Sequence, residues 1–231
     1  MPNFSSRSQE LEIMDNFQLD HDQIDGALDE LEVINIWLGG YQVTLNGLKK
    51  LKLQNDLHLS DWGCGGGDLL RKISKWSKNK GIQIKLTGID ATQSAVEYAT
   101  EKSTSYSEIR YVLADVMDDM EKVPMCDVVI SCLFTHHFDN ESWIKLVQNM
   151  YKCASKAVII NDIHRHWLAY YSIGFLTGLF SKSKMVKHDA RLSVLRSFSK
   201  TELINLLNQA GIRNYKIRWM WAFRWQIIIY K

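Results

Sequence analysis

From residue 57 onward, the chain alternates short apolar runs with longer amphipathic ones. The apolar runs predict β-strands at 57–62, 82–90, 109–115, 126–133 and 156–162. The runs between them carry apolar residues at helical spacing, as Leu69, Ile73 and Trp76 do, and predict helices at 68–78, 92–102 and 141–153. Strands that alternate with helices pair in parallel through right-handed crossovers, with helices on both faces of the sheet. The pattern therefore predicts a doubly wound α/β fold.

The end of the chain departs from this alternation. Residues 212–230 hold two strand-like runs with no helix between them, which predicts an antiparallel hairpin at one edge of a mostly parallel, seven-stranded sheet. Every second position of this stretch is aromatic, at Trp219, Trp221, Phe223 and Trp225. We expect these side chains on one face of that hairpin. We interpret this face as core packing under a helix at 201–209, with an oligomer interface as the alternative.

Two helical parts lie outside the predicted sheet. Residues 1–56 are expected to form an N-terminal helical cap, whose clearest helix, at 22–37, is followed by Gly39 and Gly40. Residues 57–231 are expected to form the doubly wound domain, with a helical insertion at about 163–199. Near its end, Ser199 and Glu202 predict a capping box at the start of the next helix. Both helical parts are candidates to cover a pocket.

Composition limits the class of protein. With 231 residues, 46% hydrophobic and 23% charged, the chain has the profile of an ordinary globular protein of one domain with an appendage. A formal charge of +2 does not indicate a nucleic-acid partner. The N-terminal run MPNFSSRSQE lacks the apolar region of a secretion signal, so we expect a cytoplasmic protein.

The cysteines and the longest apolar run carry two further expectations. The four cysteines show no paired short spacing, so no metal site and no disulfide framework are predicted. The nearly uncharged run 167–180 is fourteen residues long, short of the roughly 20 that span a bilayer. We interpret it as a buried or cap helix and expect no membrane partner.

The stretch LSDWGCGGGD at residues 59–68 places four glycines in five positions directly after the first predicted strand. Glycines allow positive φ and let a ligand approach the backbone, and doubly wound sheets bind their ligands at this edge. Asp90 closes the second predicted strand and Asp115 the third. A carboxylate at the first position can accept hydrogen bonds from ribose hydroxyls, and one at the second from the exocyclic amine of adenine. Each acid alone is equally compatible with a turn or helix cap.

With these residues the chain resembles the class I S-adenosylmethionine-dependent methyltransferases. The family pattern hhDxGCGxGD is matched by residues 59–68, and GID at 88–90, ADV at 114–116 and DVVISCLFTHHF at 127–138 stand where the family has its next motifs. The resemblance covers roughly residues 57–162 and implies a Rossmann-like methyltransferase fold with S-adenosylmethionine as cofactor. It implies the following cofactor contacts: Asp61, Gly63, Cys64 and Gly65 at the methionine part, Asp90 and Ala91 at the ribose and adenosine, Asp115 and Val116 at the adenine, and Ser131 and Leu133 near the sulfonium.

A nicotinamide or flavin enzyme is the nearest rival, because Gly63-x-Gly65 also begins a dinucleotide fingerprint. That fingerprint places its third glycine at position 68, where this chain has Asp68. It also does not require Asp61, which can face the ammonium group of a methionine moiety. The methyl donor is therefore the favoured ligand.

Candidate acceptor residues follow the fourth strand and lie in the insertion. Methyl transfer from a sulfonium is an in-line displacement, so a base is needed only for an acceptor that arrives protonated. His136 is the candidate catalytic base for a phenolic or alcoholic proton. His137, Asp189 and Arg196 are the candidate substrate-binding residues. A structural role is the alternative for both histidines.

The sequence thus predicts a methyltransferase that acts on a small molecule. Aromatic residues in the insertion suit a flat apolar acceptor, so the favoured reaction is O-methylation of a hydroxyl or carboxyl group on an aromatic or polyketide-like molecule. C- or N-methylation and a non-catalytic nucleotide-binding protein with a protein partner remain alternatives. A homodimer is left open.

Overall fold

The computed structural model describes residues 2–15, 21–51 and 55–231, and the side chains from residue 24 in the first helix. In this part of the chain, seven strands form one sheet in the order β3-β2-β1-β4-β5-β7-β6. The first five strands are parallel, and β7 runs antiparallel to both β5 and β6. The predicted fold is confirmed. The strands are β1 Leu57–Trp62, β2 Ile84–Asp90, β3 Ile109–Leu113, β4 Cys126–Cys132, β5 Ala154–Ile163, β6 Tyr215–Met220 and β7 Arg224–Tyr230.

Helices flank the sheet and cover its carboxyl edge. The described helices are α1 His21–Trp37, α2 Gly40–Lys50, α3 Asp68–Lys78, α4 Gln93–Lys102, α5 Asn140–Cys153, α6 Trp167–Phe180, α7 Lys184–Arg196 and α8 Lys200–Gln209. Helix α8 begins with the predicted capping box, in which the Ser199 side chain accepts from the Glu202 backbone N–H and the Glu202 side chain accepts from the Ser199 backbone N–H.

The central strands are apolar on both faces because helices cover both. On one face, Val129, Val158 and Ile227 belong to a buried cluster with residues of α5 and α8, among them Trp143, Leu146, Leu206 and Leu207. On the other face, Leu59, Ile130 and Ile159 belong to a cluster with residues of α2 and α3, among them Leu48, Leu70 and Ile73. A parallel sheet buried on both sides reads as a continuous apolar run, as these strands do.

The aromatic residues of the C-terminal hairpin do not form one buried face. Trp225 is buried and donates its indole N–H to the Phe198 carbonyl at 3.0 Å. Trp219 and Trp221 are 48% and 69% exposed. The expectation of core packing is wrong for these two: Trp219 lies on β6, the outermost strand of the sheet, and Trp221 lies in the turn that residues 221–223 form after β6 ends at Met220. Side-chain alternation stops where the strand stops.

The first described residues form a segment, 2–15, that crosses the carboxyl edge of the sheet. We call it the strap. Arg7 donates to three backbone carbonyls, those of His136 at 3.0 Å, Phe138 at 2.7 Å and Arg196 at 2.6 Å. These bonds join the strap to the turn after β4 and to the end of α7. The strap, α1, α6 and α7 together roof the carboxyl ends of the central strands.

Candidate active site

A cavity of about 670 Å³ lies beneath this roof, within the roughly 300–1,000 Å³ typical of small-molecule sites. Its walls come from the strand ends, the strap, α1, α6 and α7. Most of the residues singled out from the sequence line it: Asp61, Gly63, Cys64, Gly65, Asp90, Ala91, Asp115, Val116, Leu133, His136, His137 and Asp189. Two others, Ser131 and Arg196, are absent from the described wall.

The loop between β1 and α3 needs its glycines for space and for backbone conformation. Gly63 and Gly67 both have a φ of 69°, which residues with a Cβ rarely adopt. A Cβ on Gly63 would lie 2.2 Å from the Phe134 ring, and one on Gly67 would lie 2.1 Å from the Tyr111 hydroxyl. The loop therefore packs against two aromatic rings as closely as a backbone without side chains allows.

Three carboxylates meet at the end of β1. Asp61 is 1% exposed, and its Oδ1 has no hydrogen-bond partner among the described residues. Burial raises the pKa of Asp61 well above its ordinary value, and the charges of Asp68 and Asp90 add to the effect. Burial also raises the pKa values of Asp68 and Asp90. A cationic ligand would stabilise all three ionised forms, so this pocket fits the ammonium end of S-adenosylmethionine.

Asp90 and Asp115 also organise the backbone around them. Asp90 accepts from the Gly65 N–H at 2.9 Å and from the Thr92 N–H at 3.0 Å. Asp115 accepts from the Met117 N–H at 2.8 Å. A carboxylate has about four lone-pair sites, so each of these acids keeps acceptor capacity for a ligand beside its turn role. Binding a ligand and stabilising a turn, the two roles that the sequence leaves open for these acids, are therefore compatible.

His136 is held between two carboxylates. Its Nδ1 lies 2.7 Å from Asp162 Oδ1, and its Nε2 lies 3.5 Å from Glu12 Oε1. Burial alone would lower the pKa of His136, but the charge and hydrogen bond of Asp162, together with Glu12, raise it to about 9. Burial alone would raise the pKa of Asp162, yet His136 and Thr135 lower it to about 2. A pKa of about 9 favours the imidazolium form of His136 at neutral pH.

The remaining candidates for acceptor binding secure the strap. His137 Nδ1 lies 2.6 Å from Asp15 Oδ1, and Arg196 donates to Asp15 Oδ2 and to the His137 carbonyl, both at 2.5 Å. Asp189 accepts from the backbone N–H groups of Ile13 and Met14 at 2.9 and 3.0 Å. Arg196 therefore lies behind the cavity wall, while Asp189 lies on the wall but bonds to the strap.

Comparison with known proteins agrees with this geometry. Residues 60–156 match the model of a family described as methyltransferase domain. Residues 60–156 therefore form a methyltransferase domain. This match agrees with the methyltransferase family and the enzyme class that the sequence predicts for this part of the chain. No curated protein sequence matches the chain significantly.

Solved structures show the same fold at low sequence identity. Human N-acetylserotonin methyltransferase in complex with S-adenosylmethionine has a TM-score of 0.67 at 17% identity, over 92% of this chain and 56% of that one. A methyltransferase from Aquifex aeolicus described as S-adenosylmethionine dependent has a TM-score of 0.63 at 17% identity, over 92% and 99% of the two chains. A plantazolicin methyltransferase with bound S-adenosylhomocysteine has a TM-score of 0.55 at 18% identity, over 86% and 66%. The chain thus spans little more than half of the human structure.

Ser131, one of the predicted cofactor contacts of the methyltransferase domain, has its side chain within the sheet rather than on the cavity wall. Ser131 is 1% exposed, and its hydroxyl donates to the Trp62 carbonyl at 3.0 Å. The side chain joins β4 to the end of β1 rather than facing the cavity. Its neighbour Leu133 does line the cavity, with a φ of 55°.

The methyltransferase site contains one acid that sequence analysis missed, Glu12. It is 6% exposed and accepts from the Ser193 hydroxyl at 2.9 Å. One donor atom each from Glu12, His136 and His137 lie within 4.8 Å of one another, a set of the two-histidine, one-carboxylate type that can hold a metal ion. Without a metal ion, Glu12 Oε1 and His136 Nε2 have no hydrogen-bond partner among the described residues, and their distance of 3.5 Å is that of an ion pair when the imidazole is protonated.

Proposed function

We propose that this methyltransferase transfers a methyl group from S-adenosylmethionine to an oxygen atom of a small apolar molecule, a hydroxyl or carboxyl group on an aromatic or polyketide-like acceptor. The observation that carries the proposal is the position of His136. It lies on the wall of the same cavity as the acidic pocket of Asp61, and its Nδ1 is fixed by Asp162 at 2.7 Å.

For a hydroxyl acceptor, the oxygen lone pair attacks the methyl carbon while the carbon–sulfur bond breaks. The bonding electron pair goes to sulfur, which leaves as neutral S-adenosylhomocysteine, and the hydroxyl proton goes to His136 Nε2. Asp162 accepts the Nδ1–H bond, so the neutral ring keeps its lone pair at Nε2. A base with a pKa of about 9 is close to the pKa of about 10 of a phenol, which favours proton transfer between them.

The cavity wall indicates an apolar acceptor. Helix α1 contributes Leu31 and Ile34, α6 contributes Ile173 and Leu176, and α7 contributes Val186 and Val194. Apart from Asp189 on α7, the titratable wall residues lie near the strand ends and on the strap. A molecule with an extended apolar body and one hydroxyl would bury its body against the helices and present its oxygen near His136.

The test is turnover with a donor labelled in its methyl group. Purified protein is incubated with hydroxyaromatic, carboxylic and amine acceptors, and S-adenosylhomocysteine and the labelled product are measured by mass spectrometry. We expect label on oxygen of an apolar hydroxyl acceptor. Label on carbon or nitrogen would contradict O-methylation, and tight donor binding without product from any acceptor class would favour the non-catalytic nucleotide-binding protein.

A matched pair of variants separates donor binding from catalysis. His136→Gln keeps hydrogen-bonding groups but cannot take up the proton, so kcat falls by about 10²–10⁴-fold with a hydroxyl acceptor. Its affinity for S-adenosylmethionine stays that of the wild type. Ser131→Ala serves as the control, because Ser131 lies close in sequence but bonds within the sheet.

A further inference from the structure

Helix α6 exposes a row of large apolar side chains. Trp167, Tyr171, Phe175 and Leu179 follow one another at intervals of four residues and are 54%, 56%, 66% and 61% exposed. Residues four apart lie on one side of a helix. Scattered exposed apolar residues are normal, whereas a contiguous row of this size marks an interaction surface.

Ring contacts extend this row at both ends. At its start, Trp167 stacks on His166 at 5.6 Å, His166 stacks on Phe223 at 5.2 Å, and Phe223 meets Trp219 edge-on at 6.1 Å. At its end, Phe180 meets Trp37, the last residue of α1, at 5.6 Å. We call this continuous surface the aromatic face. It comprises Trp37, Trp167, Tyr171, Phe175, Leu179, Phe180, Trp219 and Trp221, each at least 48% exposed.

The opposite side of α6 forms part of the active-site wall. Ala169, Ile173 and Leu176 line the cavity. The helix contains no charged residue in its fourteen positions, and a helix that is apolar all round is found in a buried core or in contact with lipid. In the described part of the chain, no helix is long and apolar enough to cross a membrane. A helix of this length can lie within the membrane surface but cannot span it.

Charge is distributed unevenly around the aromatic face. Residues 163–188 and 203–231, which carry α6 and the C-terminal hairpin, contain nine Lys and Arg residues and no Asp or Glu. The rest of the chain contains 19 Lys and Arg against 26 Asp and Glu. Lys182 and Lys184, directly after α6, are exposed. Lys216 and Arg218 of β6 are also exposed, but they lie on the face of that strand opposite Trp219. Basic residues near an anionic membrane surface are attracted to its lipid headgroups.

We propose that the aromatic face docks this enzyme onto an anionic lipid surface, with α6 lying in the plane of the headgroups. Trp and Tyr prefer this interfacial depth, and the basic residues at the rim complement anionic lipids. This replaces the sequence-based expectation of no membrane partner with a peripheral contact. If the proposed function holds, an apolar acceptor reaches the cavity from the lipid along α6, but the docking itself does not depend on that reaction.

The experiment measures co-sedimentation of the full chain with vesicles. Vesicles of phosphatidylcholine alone are compared with vesicles that also contain phosphatidylglycerol. We expect the wild type to sediment with the anionic vesicles, less with the neutral ones, and less as the salt concentration rises. A wild type that stays in the supernatant with both vesicle types would overturn the proposal.

Variants locate the contact. Phe175→Glu with Leu179→Glu places two charges in the middle of the aromatic face, and we expect binding to anionic vesicles to weaken more than tenfold. Met125→Glu is the matched control, because Met125 is also 66% exposed but lies outside the aromatic face. Affinity for S-adenosylmethionine, measured in parallel, stays unchanged in all three proteins and verifies their folding. Equal vesicle binding by the double variant and the control would contradict the assignment of this surface.

The same proteins test the alternative occupants. A wild-type dimer on size-exclusion chromatography that the double variant converts to a monomer, without vesicle binding by either, would show that a second copy covers the aromatic face and would overturn the proposal. Lys182→Glu with Lys184→Glu removes the rim charge, and we expect it to abolish the preference for anionic over neutral vesicles. An unchanged preference would contradict the electrostatic part of the proposal.

Discussion

His136 Nδ1 lies 2.7 Å from Asp162 Oδ1, and both side chains are at most 2% exposed at the carboxyl end of the sheet. Asp162 Oδ2 also accepts from the His136 backbone N–H at 3.0 Å and from the Thr135 hydroxyl at 2.6 Å. One carboxylate thus fixes both the ring and the backbone of the turn after β4. The chemistry proposed for the cavity depends on this pair.

The first prediction concerns the pH dependence of catalysis. The pKa of His136 is raised to about 9 in the free protein, so the base is protonated at neutral pH. We expect kcat/KM for a hydroxyl acceptor to rise with pH through about 9, because this parameter reports ionisations of the free enzyme. In the His136→Gln variant we expect this rise of kcat/KM with pH to be absent. A profile that is flat from pH 7 to pH 10 in the wild type would contradict a base role.

The second prediction concerns stability. Because the folded-state pKa of His136 lies above the ordinary value of 6.5, the imidazolium stabilises the fold fully below that value and loses its contribution as pH rises through about 9. We expect the free energy of unfolding of the ligand-free protein to decline over this window by a few kcal/mol at most. Chemical denaturation at several pH values measures it. The decline should be missing from His136→Gln, and an identical decline in both proteins would assign it to other groups.

The third prediction concerns the glycine loop. Gly63→Ala places a methyl group 2.2 Å from the Phe134 ring, whereas Gly81→Ala has a similar φ of 67° but meets nothing within 4 Å. Both variants bear the strain of positive φ, about 1 kcal/mol, and only the first adds an overlap. We expect Gly63→Ala to lower the thermal midpoint further and to weaken S-adenosylmethionine binding, which calorimetry measures. Equal effects of both substitutions would mean that the close approach to Phe134 is unimportant.

The fourth prediction separates two roles of Asp189. In the structure its carboxylate accepts from the Ile13 and Met14 N–H groups, whereas the sequence suggested contact with the acceptor. Asp189→Ala leaves both donors unpaired, so we expect faster proteolytic cleavage within the strap together with a higher KM for the acceptor. A higher KM with cleavage at the wild-type rate would instead support direct contact with the acceptor.

The fifth prediction concerns Glu12, His136 and His137 as a group. If the group carries a proton, chelation with EDTA leaves the rate unchanged, and excess Zn²⁺ inhibits by binding both imidazoles. Activity assays with chelator and with added divalent cations measure this. Loss of activity on chelation that a divalent cation restores would contradict the proton role and identify the three residues as metal ligands.

Much of the fold could be predicted because its signals are local. β1 and α3 begin and end at the residues expected from the sequence, since an apolar run and a helical repeat meet at the glycine loop. The capping box of Ser199 and Glu202 depends on four consecutive residues. The buried face of the hairpin could not be predicted, because the turn begins at Trp221 and because β6, which carries Trp219, is the outermost strand of the sheet.

Part of the candidate site could also be predicted from the sequence, and part of it could not. Asp61, Asp90 and Asp115 follow strands, and parallel strands bring their carboxyl ends to one edge, so sequence order alone places them together. Glu12 and Asp15 reach the histidines from more than a hundred residues away, through a strap that Arg7 and Arg196 tie down. No spacing in the sequence encodes that contact. Asp189 and Arg196 were placed near the acceptor because they lie in the insertion, but their partners belong to the strap.

The carboxylates at the strand ends are the proposed binding site of the methyl donor, and one titration tests this role directly. Isothermal calorimetry with S-adenosylmethionine compares the wild type with Asp61→Asn, which keeps the shape of the side chain and removes its charge. We expect the wild type to bind and the variant to bind about 10- to 100-fold more weakly, the effect of losing a hydrogen bond to a charged group. No heat with the wild type, or equal affinity in the two proteins, would contradict the account.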